Sequence, residues 1–283
     1  MKFLPNGVSV LVLWVVRVLW LPVGLLAPWA DIAVGRSAAV AATVNAWGWV
    51  LWGSALVALA VPSTVSLTVV RTVSPLLLVA GWWSGGTAQA VTAAVAFAVV
   101  WHGDTADGLV QGSAYGAETR FCLRTPLVHA LAAVPAWSAW VGGLLVGSLL
   151  VAAGNPAPGA GLLVVGALLS RTVPRRMHRF SRRWLVLVPS GIVVHDQVVL
   201  AETVMVRRSN LASVQMVQPG GEPADLTGGT FGRRIAFVLT NAEKVILTPI
   251  ARRVLRTSEA LHVKSFVVNP VRREPALGRL LTK

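Results

Sequence analysis

The chain has 283 residues, of which 55% are hydrophobic and only 13% are charged, and its formal net charge is +14. So few charges exclude two ordinary soluble domains, in which about a quarter of the residues are charged, and the single cysteine, Cys122, excludes an internal disulfide framework. Residues 1–170 carry 6 basic and 4 acidic side chains, whereas residues 171–283 carry 19 and 7. We therefore expect an apolar membrane domain followed by a basic soluble domain.

Six apolar runs predict membrane-spanning helices. A span needs roughly 20 mostly apolar residues to cross about 30 Å of hydrocarbon. Eleven of the twelve tryptophans precede residue 171, many of them near the ends of these runs, where an indole ring sits well among lipid headgroups. The third, fourth and sixth runs are the shortest, so the expected number of spans is four to six. The runs lie near residues 8–29, 38–61, 65–83, 87–102, 127–152 and 159–173.

Six arginines with no intervening acid follow the last run. We call them the arginine collar, which comprises Arg171, Arg175, Arg176, Arg179, Arg182 and Arg183. Basic residues near spans are retained on the cytoplasmic side, so we expect the collar and both termini, including Lys2, to be cytoplasmic in a plasma-membrane protein. Because a basic residue beside anionic lipid gains about 1 kcal/mol, the collar is a candidate site for inner-leaflet lipid or a protein partner. The alternative is that it serves only as a topology signal.

The residues after the collar predict a small, mainly β domain. Short β-branched runs alternate with turn residues, which is typical of hairpins. We expect about seven strands, with turns at residues 189–191, 209–210 and 241–243, and a final short helix whose first turn contains Pro275. The predicted fold is thus a helical polytopic membrane bundle (residues 1–173) followed by the collar and a β domain (residues 174–283).

The order of strands and final helix over residues 183–283 resembles a bacterial, membrane-associated pleckstrin-homology-like (PH-like) roll. Three words, SAYGAETRFCLRTP (113–126), RRWLVLVPSGIVVHD (182–196) and DLTGGTFG (225–232), resemble a group of uncharacterised multi-pass membrane proteins of high-GC Gram-positive bacteria. The chain has Thr119 where that group usually carries a second basic residue. The resemblance implies the two-part architecture and assigns no activity.

The sequence contains none of the strongest enzyme or metal signatures. A Walker-type phosphate loop, a His-Glu-x-x-His helix, a Gly-x-Ser-x-Gly elbow and a Cys-x-x-Cys pair are all missing, so we expect no enzyme activity, no cofactor and no resident metal. His102, Asp104 and Asp107 are either candidate ligands of a divalent ion or a helix end followed by a solvated turn. Nucleic acid is not an expected partner, because stacking aromatics are scarce near the collar.

Two arginines and two glycines within the apolar runs are candidate functional residues. Arg17 and Arg71 lie where a guanidinium group is costly. Each either snorkels to a headgroup or marks a buried partner or ion path. Gly143 and Gly147 form a GxxxG motif that allows close helix approach.

The segment between the fourth and fifth runs, residues 102–126, is longer than a simple connection requires. We call it the inter-helix segment. We expect Tyr115 and Phe121 to pack on the soluble domain or on the inner helix ends, and Glu118 to pair with an arginine of the collar. The alternative is a mobile loop that anchors Arg120 and Arg124 at lipid headgroups.

The sequence therefore predicts a non-enzymatic membrane anchor, scaffold or accessory subunit of a cell-envelope assembly. Its cytoplasmic domain is expected to bind anionic lipid or a protein partner. The alternative function is a small transporter or channel subunit that uses Arg17.

The predicted topology is tested with reporters that are active only in the cytoplasm. Fusions after Lys2, near Gly112 and at Lys283 should be active, because the positive-inside rule places all three positions in the cytoplasm. A fusion near Ala157 should be inactive. Activity at Ala157 would invert the topology.

Overall fold

The structure is a computed structural model that describes residues 7–218, 223–255 and 260–282, so Lys2 and Lys283 lie outside the described residues. The chain divides into two compact units. Among the described residues, those within 7–112 and 131–178 form a helical unit, and those within 113–130 and 179–282 form a sheet unit. Residues 113–130 therefore belong with the sheets, whereas the predicted division at residue 173 placed them with the helices.

Nine helices are formed by the described residues between 7 and 181, and their order follows the six predicted runs with three additions, α2, α6 and α9. They are α1 (Gly7–Leu26), α2 (Pro28–Ala33), α3 (Ala38–Ala60), α4 (Thr64–Trp83), α5 (Thr87–Trp101), α6 (Gly103–Gln111), α7 (Leu127–Ala152), α8 (Pro156–Leu169) and α9 (Val173–Ser181).

Four of the helical stretches are long and apolar enough to cross a membrane. They are Val10–Ala33, α3, α4 and α7. The pair α8 and α9 makes a fifth candidate if its 43° bend lies within one span, and α5 is a shorter apolar helix of 15 residues. The described residues thus contain four to five candidate membrane spans.

Helix α6 covers Asp104 and Asp107, which with His102 were interpreted either as candidate metal ligands or as a helix end and a solvated turn. All nine of its residues are buried. His102 caps the helix by accepting a hydrogen bond from the amide of Asp104 at 3.3 Å, and Asp107 is buried in the middle of α6. No group of three potential metal ligands occurs among the described residues. The solvated-turn prediction was wrong because tertiary packing buries this polar stretch.

Helices α7 and α8 approach closely through glycines. A Cβ atom added to Gly143 would lie 3.0 Å from the amide nitrogen of Gly166, and one added to Gly147 would lie 2.9 Å from the amide nitrogen of Leu163 and 3.0 Å from the carbonyl oxygen of Gly159. The GxxxG motif therefore lies in a contact within the helical unit.

The sheet unit contains two four-stranded sheets, in the orders β1-β2-β3-β4 and β5-β7-β8-β6. All pairings are antiparallel except that of β6 with β8. Two helices, α10 and α11, accompany the sheets, and Pro275 lies in the first turn of α11 as predicted. The elements are β1 (Thr119–Cys122), β2 (Arg183–Val188), β3 (Gly191–Asp196), β4 (Val204–Arg207), β5 (Leu211–Val217), β6 (Ala224–Asp225), β7 (Arg234–Ile246), α10 (Pro249–Leu255), β8 (Ala260–Val268) and α11 (Arg273–Leu281).

One apolar core lies within the sheet unit. Phe121 of β1, Leu185 of β2, Val194 of β3, and the stacked rings of Phe237 and Phe266 all belong to it. Two departures from the sequence prediction stand out. Strand β1 was not expected, and the predicted turn at residues 241–243 is a bulge within the continuous strand β7.

The α7–α8 contact predicts opposite effects for two neighbouring glycines. Alanine favours a helix over glycine by about 0.5–1 kcal/mol, so Gly142→Ala, whose new methyl group meets no atom within 4 Å, should raise the thermal unfolding midpoint in mild detergent or leave it unchanged. Gly147→Ala should lower the midpoint, because its methyl group would push against backbone atoms of α8. Equal midpoints for the two variants would contradict the contact.

Candidate functional site: the arginine collar and the inter-helix segment

Helix α9 carries three of the six arginines of the collar. Arg175, Arg176 and Arg179 are exposed, and so is Arg171 just before the helix. Because Arg175 and Arg179 are four residues apart, they lie on the same face of α9, with Arg176 beside them. Helix α9 also contacts α4, because Nδ1 of His178 lies 2.9 Å from Oγ1 of Thr68. The exposed arginines therefore form a cationic surface on an element that is held in place.

Arg183 does not belong to that surface. Its side chain is 1% exposed and makes a bidentate ion pair with Asp196, with Nε and Nη2 each donating to a carboxylate oxygen at 2.7 Å. Its Nη1 donates to the carbonyl oxygen of Arg124 at 2.6 Å. The prediction that Arg183 contacts lipid was therefore wrong, because the sheet unit buries its guanidinium group. Arg182, which precedes it, is half-buried.

The Arg183–Asp196 pair fastens the turn after β3 as well as the two strands. Oδ1 of Asp196 accepts hydrogen bonds from the amides of Val198 and Val199 at 3.0 and 3.2 Å. A buried ion pair is stable only when its remaining hydrogen-bonding capacity is also satisfied. Here the backbone of the turn and the carbonyl oxygen of Arg124 supply those additional bonds.

Residues 119–124 of the inter-helix segment form part of the sheet. Strand β1 pairs with β2 from Thr119 to Cys122, and the Phe121 side chain is 1% exposed in the core. Two further backbone bonds continue the attachment, because the amide of Leu123 donates to Arg183 at 3.0 Å and the amide of Arg124 donates to Asn269 at 2.9 Å. This part of the segment is thus an integral strand.

The remaining predicted residues of the segment differ in exposure, because the side chains of Glu118 and Arg120 are only 15% and 14% exposed. Tyr115 is 91% exposed, so the expectation that it packs was wrong. Glu118 accepts hydrogen bonds from Arg120 at 2.6 Å and from the amide of Tyr115 at 2.6 Å. The ion-pair partner identified for Glu118 is therefore a residue of the same segment.

Strands β1, β2 and β3 align a cation and two rings. The guanidinium group of Arg120 lies 5.1 Å from the ring centre of Trp184, which stacks on His195 at 4.9 Å. Burial, followed by the positive charge of Arg182, lowers the pKa of His195 below its usual value. The imidazole is therefore neutral near pH 7, and its Nδ1 contacts Oγ1 of Thr203 at 3.0 Å. This arrangement stabilises the outer face of the sheet.

Arg124 lies three residues before the first residue of α7. Burial, followed by the positive charge of Arg273, lowers the pKa of Arg124 from its usual value. The second effect indicates that the guanidinium groups of Arg124 and Arg273 lie near each other at this end of the sheet unit, where the chain enters a candidate span. We call this end, marked by Arg183, Arg124 and Asn269, the membrane-entry end.

Arg17 and Arg71 have identified contacts inside the helical unit. Nε of Arg17 donates to the carbonyl oxygen of Leu59 at 2.8 Å, and its guanidinium group lies 4.9 Å from the ring centre of Trp14. The last carbonyl groups of a helix lack partners within that helix, so Arg17 caps the carboxyl end of α3. Arg71 lies 5.3 Å from the ring centre of Trp101.

Sequence reasoning missed Asp196, Trp184 and His195, although one signal for them was present. The turn at residues 189–190 fixes the register of the β2–β3 hairpin, and counting outward from it pairs Arg183 with Asp196 and Trp184 with His195. The register alone therefore predicts both contacts.

Comparisons of the chain with protein-family models, with curated proteins and with solved structures return no match.

Two aromatic residues of the inter-helix segment provide a matched test of its attachment. Phe121→Ala should destabilise the sheet unit by about 3–5 kcal/mol, because it removes a buried ring, and limited proteolysis should then cut the segment faster. Tyr115→Ala should change stability by no more than about 0.5 kcal/mol, because that side chain is exposed. Equal cutting rates for the two variants would mean that Phe121 does not hold the segment.

Proposed function

We propose that this chain is a non-enzymatic, multi-pass plasma-membrane protein whose exposed collar arginines bind anionic lipid of the inner leaflet and hold the cytoplasmic sheet unit against it. It acts as an anchor, scaffold or accessory subunit for a protein partner in a cell-envelope assembly. The observation that carries the proposal is the set of exposed arginines at Arg171, Arg175, Arg176 and Arg179, directly after an apolar helix.

The charge of this surface favours a lipid partner. Each of the four exposed arginines gains about 1 kcal/mol near anionic headgroups. Together they attract the cationic surface to anionic lipid strongly enough to orient that surface towards the membrane. Topological retention alone does not require exposed arginines arranged on one helix face. Helix α9 supplies that arrangement, and its contact with Thr68 keeps the helix attached to α4.

The architecture of the sheet unit supports a PH-like interaction module. From residue 183 onward it has seven strands and a final helix, with the short helix α10 between β7 and β8. The strands and the final helix follow the order implied by the resemblance, and α10 is an addition to it. An eighth strand, β1, completes the first sheet from a segment that lies between two helices of the membrane region. Because β1 comes from between two of these helices, the module is connected to the membrane region at more than one point of the chain. This connection favours an anchoring role.

The contacts of Arg17 favour a scaffold over a transporter. A transport site usually combines intramembrane charge with interrupted helices around a cavity. The guanidinium group of Arg17 instead binds carbonyl groups at the end of α3. Its charge is thus used in helix capping.

Two adjacent arginine pairs provide a matched test of lipid binding. The full chain is reconstituted in mixed bilayers, and the motional restriction of spin-labelled anionic and zwitterionic lipids is compared by electron spin resonance. The unmodified protein should restrict anionic lipid preferentially, and added salt should weaken the preference, because exposed charges are screened within about 8 Å at physiological ionic strength.

The double variant Arg175→Gln with Arg176→Gln should lose most of this preference. The control, Arg207→Gln with Arg208→Gln, removes two exposed arginines at the far end of β4 and should retain it. An equal preference in both double variants would remove the collar from the proposed lipid site.

A further inference from the structure

Residues 225–232, DLTGGTFG, form a braced loop that the proposed function does not use. We call it the Phe231 loop. Oδ1 of Asp225 accepts a hydrogen bond from the amide of Thr227 at 2.8 Å, and the Thr227 hydroxyl accepts one from the amide of Thr230 at 3.2 Å. The side chain of the buried Asn269 donates to the Thr230 hydroxyl at 2.9 Å and to the carbonyl oxygen of Phe231 at 3.0 Å. The backbone that carries Phe231 is therefore fixed.

The loop lies at the membrane-entry end of the sheet unit. Gly228 has a φ of 70°, and a Cβ atom there would lie 2.9 Å from Cγ of Pro126. Pro126 immediately precedes α7, a candidate span. Asn269, which braces the loop, also accepts the amide hydrogen bond of Arg124. Since Phe231 is three residues from Gly228, its Cα lies at most about 11 Å from that contact.

The tip of the loop presents a ring and positive charge together. Phe231 is 73% exposed although its backbone is braced, and Gly232 and Arg233 are exposed beside it. Arg273 donates from Nη1 to the carbonyl oxygen of Arg233 at 2.9 Å, which places a second guanidinium group at the same tip. Aromatic rings favour the level of lipid headgroups, and arginines there attract anionic lipid.

We propose that the Phe231 loop is a second membrane contact, with the Phe231 ring inserted into the interface of the inner leaflet and Arg233 and Arg273 at the phosphate level. The Phe231 ring binds lipid and not a groove of a protein partner, because the loop contacts the residue that precedes a candidate span. The inference rests on the proposed function in placing the sheet unit against the inner leaflet. It uses none of the collar arginines.

The opposite end of the sheet unit supplies a control position. Leu281 lines a cavity of about 240 Å³ together with Val188 and Gly191, at the end of β2 away from Arg183. Six residues of β2 separate the two ends by about 17 Å. Leu281 is 65% exposed, which matches the exposure of Phe231.

The test uses the full chain in liposomes containing anionic lipid. Phe231→Cys and Leu281→Cys are each labelled with the same environment-sensitive fluorophore. Cys122 is buried, and the labelled unmodified chain measures any background from it. Quenching by lipids that carry a nitroxide on the acyl chain is compared with quenching by iodide in the water.

The label at position 231 should be quenched several-fold more by the lipid nitroxide than the label at position 281, and less by iodide. Equal quenching at the two positions would overturn the inference. So would protection of position 231 from both quenchers, because protein would then cover it. The preference of the unmodified chain for anionic lipid is measured in the same liposomes. If that preference is present but the lipid nitroxide does not quench the label at position 231, this inference is refuted and the collar proposal still holds.

Discussion

The buried ion pair between Arg183 and Asp196 is the interaction on which the arrangement of the sheet unit depends. It joins β2 to β3, fastens the turn after β3, and binds the carbonyl oxygen of Arg124 just before α7. Removing one partner of such a pair leaves a buried charge and costs about 3–5 kcal/mol. The pair thus lies at the point where the strands and the entry to a candidate span meet.

Because Arg183 takes part in this ion pair, the collar contains two kinds of arginine, exposed and buried. Arg175, Arg176 and Arg179 lie on α9 and remain in contact with water, whereas Arg183 lies in β2 and is buried. The change occurs because the helix ends at Ser181, after which strand geometry controls the direction of each side chain. The collar therefore supplies both the exposed arginines of a cationic surface and the buried arginine of an ion pair.

The main features that sequence periodicity predicted are the long spans, the β2–β3 hairpin and the final helix. Its errors lie where tertiary contacts outweigh local pattern. Strand β1 is only four residues long and its partner β2 lies about 60 residues later, so local propensity gave no signal for it. Helix α6 is polar in sequence and buried in the fold, and burial of polar residues depends on neighbours that periodicity does not identify. The site prediction failed at Arg183 because the fold buries that side chain, and at Tyr115 because the fold leaves that side chain exposed.

The central claim is that residues 119–124 of the inter-helix segment are a strand of the sheet unit, fastened beside the ion pair. Hydrogen–deuterium exchange of the full chain in lipid bilayers tests it most directly. The account predicts that the amides of Leu123 and Arg124, which donate to Arg183 and Asn269, exchange as slowly as those of β2, because both open only with the sheet. Exchange of these amides at the rate of an unprotected loop would contradict the account.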